Sequence, residues 1–322
     1  MSEAILGIDI AKQKFDVALL NNGKIKHKTL KNNKEGFETL SQWLQKQGIE
    51  HVHACLEATG TYGDDLATSL HDAGHTVSMV NPARIKGFAQ SELIRTKNDK
   101  VDAGLIARFC LAMRPKAWIP SRPEIRNLQA IVRRVDALIG IRVQETNRLS
   151  VSNAAVEESI KEHITYLDQE VEKLKKQIRE AMNTDPDLKS KRDLLISIPG
   201  ISDATIAAVL AELNGLENFD NVQKLVAFIG LAPKDTISGD SVKGKPRICK
   251  IGTARLRKAL YMPALSAIRF NPVIAKFYSR LKETGKNGKV IVCAVMRKLV
   301  HIMFGILKSG KPFNPNYEPI FA

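Results

Sequence analysis

AILGIDI at Ala4–Ile10, followed by FDVALL from Phe15, is the stretch from which the fold is read. The first is an apolar run of strand length, and the second returns after a short polar turn, so the chain opens as a β-hairpin. A third strand is expected around Lys26 to Lys31. From Lys34 to Gln47, Phe37, Leu40 and Leu44 fall on one helical face, and HVHACLEA from His51 reads as another strand. Asp64 to Ala73 then reads as a helix, His75 to Val80 as a strand ended by Asn81-Pro82, and Asp99 to Met113 as a further helix.

Three antiparallel strands followed by alternating helix and strand predict an α/β domain of the ribonuclease H-like kind. Pro115, Pro120 and Pro123 mark its end, placing a boundary at residue 120. From Glu124 to Asn183 the chain is helical in character. Ile160, Ile164, Leu167, Val171, Leu174 and Ile178 alternate steps of four and three, a heptad seam flanked by charge. Such a seam fits either a helical hairpin packed on its own chain or a dimerising coiled coil, and it defines a helical spacer over 121–188. Residues 189–322 form a third, mainly helical domain. It opens with LLISIPGISDATIAAVLAEL from Leu194, which has the form helix, Pro-Gly turn, helix. That is the shape of a helix-hairpin-helix, whose turn can hold a DNA phosphate, and equally of a simple packed helix pair.

The charge balance narrows the function classes. Lys and Arg number 49 against 34 Asp and Glu in 322 residues, a net +15, which favours a polyanionic partner, nucleic acid before an anionic membrane surface. From Ser241 to Lys282 there is no acidic residue, so the C-terminal third is the basic part. Cys55, Cys110, Cys249 and Cys293 are widely spaced without the clustering of a zinc site, which fits a reducing cytoplasm. The N-terminus lacks the regions of a signal peptide, and no apolar run is expected to span a membrane.

Four acids stand out by position. Asp9 interrupts an apolar strand, where an ionised carboxylate costs several kcal/mol unless compensated. Glu57 ends another strand, and Asp99 and Asp102 are three apart at the start of a helix, hence on one face. Carboxylates from two strands and one helix make the oxygen-rich donor set that Mg²⁺ prefers, with two ions suiting an in-line phosphoryl transfer. A strand-end Asp that caps a turn, or acids that complement a helix N-terminus, would look the same one by one.

GIDIAK, EATGTY, NPARIKGFAQS, TKNDKVDA, SIPGI, FIGLAPKD, SGDSVKG and LRKALYMPA, in this order along nearly the whole chain, resemble one bacterial group. It is the DEDD transposases of insertion-sequence family one-ten, which includes the pilin gene inverting recombinases. The resemblance implies a RuvC-like N-terminal domain with its tetrad at Asp9, Glu57, Asp99 and Asp102, using Mg²⁺ or Mn²⁺ in its place. It also implies a C-terminal transposase domain whose nucleophile is Ser238, the first serine of SGDSVKG, with Ser241 the neighbouring alternative. Ser238 would attack a DNA phosphate to give a covalent phosphoserine, and strand exchange would rejoin the ends. The serine region and the chain length resemble the bridge-RNA-guided members, so a guide RNA and a homo-oligomer, a dimer assembling to a tetramer with composite sites, are implied as partners beside DNA.

Around the serine, Gly239 and Gly244 permit close backbone approach. Lys243, Lys245, Arg247, Lys250, Arg255, Arg257 and Lys258 are the candidate phosphate contacts. Two rival readings remain: a RuvC-like junction nuclease in which water attacks, and a non-catalytic DNA-binding protein with structural acids. A covalent protein–DNA adduct separates the first rival, and metal-dependent cleavage the second.

Overall fold

The computed structural model describes residues 4–58, 62–93, 99–213, 215, 219–234, 237–238, 242–243 and 247–316. The chain divides into two compact units, 1–120 and 121–322. In the first unit the hairpin is β1 (Ala4–Ile10) and β2 (Lys14–Asn21), extended by β3 (Lys24–Lys31). Then come α1 (Lys34–Lys46), β4 (Val52–Glu57), α2 (Asp64–Asp72), β5 (Thr76–Val80), α3 (Pro82–Ser91) and α4 (Asp99–Met113). The sheet order is β3-β2-β1-β4-β5, antiparallel across β1, β2 and β3 and parallel from β1 through β4 to β5.

Strand alternation divides the apolar side chains between two cores. Leu6, Ile8, Phe15, Val17 and Leu56 pack with Leu40, Leu44 and Leu66, under α1 and α2. Ile5, Ala18, Cys55 and Val80 face the other way, against Ile85 of α3 and Ala103, Ile106 and Ala107 of α4. Asn33 and Asn81 cap α1 and α3, accepting from the N–H groups of Gly36 and Ala83. The sequence reading places no element over α3. Ile85 is the one buried residue of that helix, so its hydrophobic periodicity is faint.

The second unit begins with α5 (Pro123–Leu149) and α6 (Ala154–Thr184), then α7 (Pro186–Leu195), α8 (Asp203–Leu213) and α9 (Val222–Ile229). Short strands β6 (Pro233–Lys234), β7 (Ile237–Ser238), β8 (Val242–Lys243) and β9 (Arg247–Ile248) pair β6 with β9 and β7 with β8, each antiparallel. The chain continues as α10 (Ala254–Phe270), α11 (Pro272–Glu283) and α12 (Gly288–Ser309).

The seam residues Leu167, Val171 and Ile178 of α6 are buried in the same core as Leu128, Val135 and Leu138 of α5, an intrachain hairpin. Arg122, just before α5, bonds Asp185 and Asp187 just after α6, at 3.3 and 2.8 Å. Arg142 pairs with Asp168, and near the hairpin's far end the buried Glu145 meets Arg148 at 2.6 Å and His163 at 3.6 Å. The hairpin is built into the second unit: Gln129 donates to the Ala211 carbonyl at 3.1 Å, and Arg133 pairs with Glu212 at 3.0 Å.

SIPGI forms the turn between α7 and α8, with Gly200 at φ +93°. A Cβ there would lie 2.7 Å from the Ala267 nitrogen, so the turn can seat against α10 only with glycine. One expectation is corrected. Helix α12, 22 residues with a hydropathy of 2.0, is long and apolar enough to cross a membrane. Its Ile291, Val295, Leu299 and Met303 are instead buried at the centre of this unit's core, where a helix is apolar on most sides.

Two imidazoles tie stability to pH. His75 is held below the ordinary 6.5 by burial and then by His51, and His301 by burial, Arg297 and Lys298. A depressed imidazole is neutral in the folded chain and gains a proton more readily on unfolding. Its contribution is therefore complete above about pH 6.5 and is lost as the pH falls through that value. The thermal midpoint should drop between about pH 7.5 and about pH 5.5, and less steeply in a His75→Gln, His301→Gln chain. Parallel curves for the two proteins would remove these histidines from the account.

Candidate active site

The acids of the first unit are placed by strand register. Asp9 is at the C-terminal end of β1, on the face that carries Ile5 and Gly7, and Glu57 shares that face two residues beyond Cys55. The parallel pairing stops at Ile8 opposite Leu56, so Asp9 and Glu57 are level on neighbouring strands. Both side chains are half-buried and both are engaged with other groups.

Gly7 sets the height of α4 above this face. A Cβ on Gly7 would lie 2.2 Å from the Ala103 oxygen and 2.3 Å from the Ala107 nitrogen, so the helix backbone rests on bare strand. This contact is two residues from Asp9 and one from Asp102, which is half-buried on α4. Asp99 is the first residue of α4, and its side chain lies outside the described part. A further bond shapes the rim: the Asn32 side-chain amide donates to the carbonyls of Ala11 and Tyr62 at 3.1 and 3.0 Å, tying together the segments that follow β1 and β4.

One acid escapes the sequence reading. Asp16 of β2 is directly opposite Asp9 in the antiparallel register, on the same face, and only 6% exposed. It accepts from the Thr29 hydroxyl and pairs with Lys14 at 3.4 Å. The available signal is that Asp16 is the one polar residue in the apolar run FDVALL, a strand buried on both faces.

In donor chemistry the set fits a hard divalent cation: carboxylates alone, from two strands and a helix. Among the described residues, however, no three His, Cys, Asp or Glu side chains stand close enough together to hold an ion, Asp99 not being counted. Cys55, beneath the site, offers no rival nucleophile. Its hydrogen bond with the Cys110 thiol and then its burial push the Cys55 thiol far up, so it stays protonated.

In the second unit Ser238 ends β7 and pairs across to Val242, while Ser241, Gly239, Gly244 and Lys245 lie outside the described residues. Lys243 is described only as a member of β8. Of the other predicted cations, Arg247 and Lys250 are exposed, Lys250 in the left-handed region at φ +59°. Arg255 is 3.8 Å from Glu212 and Lys258 is 3.5 Å from Asp136. Arg257 is half-buried and donates to the Ile229 carbonyl at 2.7 Å, a structural use at the end of α9.

Residues 6–151 match the DEDD_Tnp_IS110 transposases, and residues 192–279 match the transposase IS116/IS110/IS902 family. The chain is 33% identical over 318 residues to the pilin gene-inverting protein of Moraxella bovis, covering 98% of both chains. That of Moraxella lacunata is equally similar, at 33% over 318 residues. A 43.6 kDa protein of insertion element IS110 from Streptomyces coelicolor is 26% identical over 117 residues, 36% of this chain and 29% of its own. With both halves matched and the full length shared at this identity, the chain belongs to the IS110 family of transposases.

Proposed function

We propose that this protein cuts and rejoins DNA strands with Ser238 as nucleophile, assisted by a divalent cation held by Asp9, Glu57, Asp99 and Asp102. The observation that carries the reading is the level placement of Asp9 and Glu57 on the sheet face over which Gly7 admits the helix bearing Asp102. The sheet order β3-β2-β1-β4-β5, with its antiparallel and parallel halves, supports treating this unit as a ribonuclease H-like, RuvC-like domain.

A bound Mg²⁺ ion, or two, would stabilise negative charge that builds on the phosphate oxygens. Asp9, Glu57, Asp99 and Asp102 would hold it, and the half-buried setting of Asp9, Glu57 and Asp102 would limit competing water. At the serine, the Oγ–P bond forms as the P–O bond to one deoxyribose oxygen breaks. The serine proton leaves, and the released sugar oxygen takes one up. A sugar hydroxyl from another strand then attacks the phosphoserine, restoring a phosphodiester and freeing Ser238. One phosphate ester replaces another at each step, so rejoining needs no nucleotide cofactor.

DNA is the substrate in this reading. A bridge RNA that pairs with donor and target DNA, and a homo-oligomer that assembles as dimer and tetramer, belong to the same proposal. Incubating the protein with element-end DNA, candidate RNA and Mg²⁺ should yield a strand covalently linked to protein on a denaturing gel. Cleavage without any linked strand would instead establish the water-based nuclease. Asp102→Asn should fail to form the adduct while its thermal midpoint and DNA affinity stay near those of the unaltered chain. Normal adduct yield from that variant would exclude Asp102 from the site.

A further inference from the structure

A second feature of the C-terminal unit lies outside the serine segment and outside every cation singled out from the sequence. Between α11, α12 and the Pro315–Asn316 segment is a solvent-open cleft of about 610 Å³. Lys276, Arg280 and Lys298 line it together with Val273, Phe277 and Asn316. Its size is that of a site for a single small molecule or residue, roughly 300–1,000 Å³.

The three cations are exposed, and among the described residues none of them is ion-paired. Lys276 and Arg280 are four apart on α11, where like charges repel and slightly destabilise the helix. The cationic field is felt nearby, since Arg297 and Lys298 add to the burial that holds His301 below its ordinary value. The Arg280 guanidinium is 5.4 Å from the centre of the Phe277 ring, which holds that cation at the cleft wall. The cleft thus combines a charged side with an apolar one.

We propose that this cleft takes an unpaired nucleotide of a nucleic-acid strand, its phosphate among Lys276, Arg280 and Lys298 and its base against Val273 and Phe277. An acidic peptide would satisfy the cations and leave the apolar wall wet. A duplex would present phosphates but keep its bases stacked inside. Of these three, the single strand supplies both halves of the match, a phosphate and an exposed base at every residue.

The test measures binding of a short fluorescein-labelled thymidine strand, and of the matching duplex, over a range of salt. It uses the full chain carrying Ser238→Ala, so that failure of the serine chemistry cannot be mistaken for failure of the cleft. Replacing Lys276, Arg280 and Lys298 together by alanine should weaken the single strand about 10-fold near physiological salt. It should also reduce the slope of log affinity against log salt by about 2. Phe277→Leu, which keeps an apolar group in place, should weaken the single strand about 5-fold or more and leave the duplex unchanged. An unchanged salt slope in the triple variant overturns the proposal, even if Phe277→Leu proves unstable. Equal loss for strand and duplex in Phe277→Leu also overturns it. Displacement of the strand by poly-glutamate as effective as by unlabelled strand would make the cleft an acidic-peptide site and overturn it too.

Discussion

Ser238→Ala should leave nucleic-acid binding within about 2-fold of the unaltered chain while lowering strand joining by about 10⁴-fold or more, the scale seen when a covalent nucleophile is removed. Binding survives because it rests on many dispersed cations, of which Arg247 and Lys250 are exposed near the same strands. Joining fails because alanine offers no oxygen to carry the phosphate between strands. The measurement is paired: filter binding of element-end DNA, and denaturing-gel detection of the protein-linked strand. Ser241→Ala is the internal control and should retain the adduct. An active Ser238→Ala beside an inert Ser241→Ala would move the nucleophile three residues on; a linked strand in both variants would place it on another residue, and cleavage with no linked strand in either would leave attack to water.

Gly7→Ala should damage the first unit severely, because the added methyl group falls on helix backbone. The new Cβ would meet the Ala103 oxygen at 2.2 Å, the Ala107 nitrogen at 2.3 Å and the Ala107 Cα at 2.8 Å. These are backbone atoms of α4, so no side-chain rotation relieves the clash. The helix must lift, unpacking Ile106 from Ile5 and Cys55. Overpacking in a core commonly costs 1–3 kcal/mol, and a rigid backbone neighbour puts this site at about 3 kcal/mol or more. For a unit of this size that corresponds to a fall of roughly 10 °C in its unfolding midpoint. Calorimetry checks the stability, and the adduct assay checks the accompanying displacement of Asp102 from Asp9. Ala103→Gly should not rescue the variant, because the offending oxygen remains. A Gly7→Ala chain of normal stability would show that α4 does not rest on β1 as described.

Much of this arrangement was legible before any coordinates. The apolar runs of strand length in AILGIDI and FDVALL, and the proline boundary near residue 120, both follow from residue chemistry that acts locally. So does the position of Asp9 and Glu57 at strand ends. What escaped has physical reasons too. Helix α3 buries little, so periodicity could not announce it. Asp16 joins the site only through the antiparallel register, a property of two strands rather than of one. The heptad seam in α6 is the same whether its partner is α5 or another chain, and the Arg142–Asp168 and Arg122–Asp185 pairs are what identify the intrachain partner. Ser238 had no local signature beyond a polar loop, and its assignment came through resemblance.

Those same ion pairs constrain how the hairpin can change length over evolution. Each pair joins a residue of α5, or its leading edge, to one of α6 or its trailing edge, so the two helices are cross-indexed along their length. Seven extra residues in α6 alone would slide its partners about 10 Å past their mates, whereas seven in each helix, inserted at the same height, would restore every rung. Tolerated insertions and deletions should therefore come in matched doublets on either side of the 150–153 connection, like teeth added to both halves of a zip.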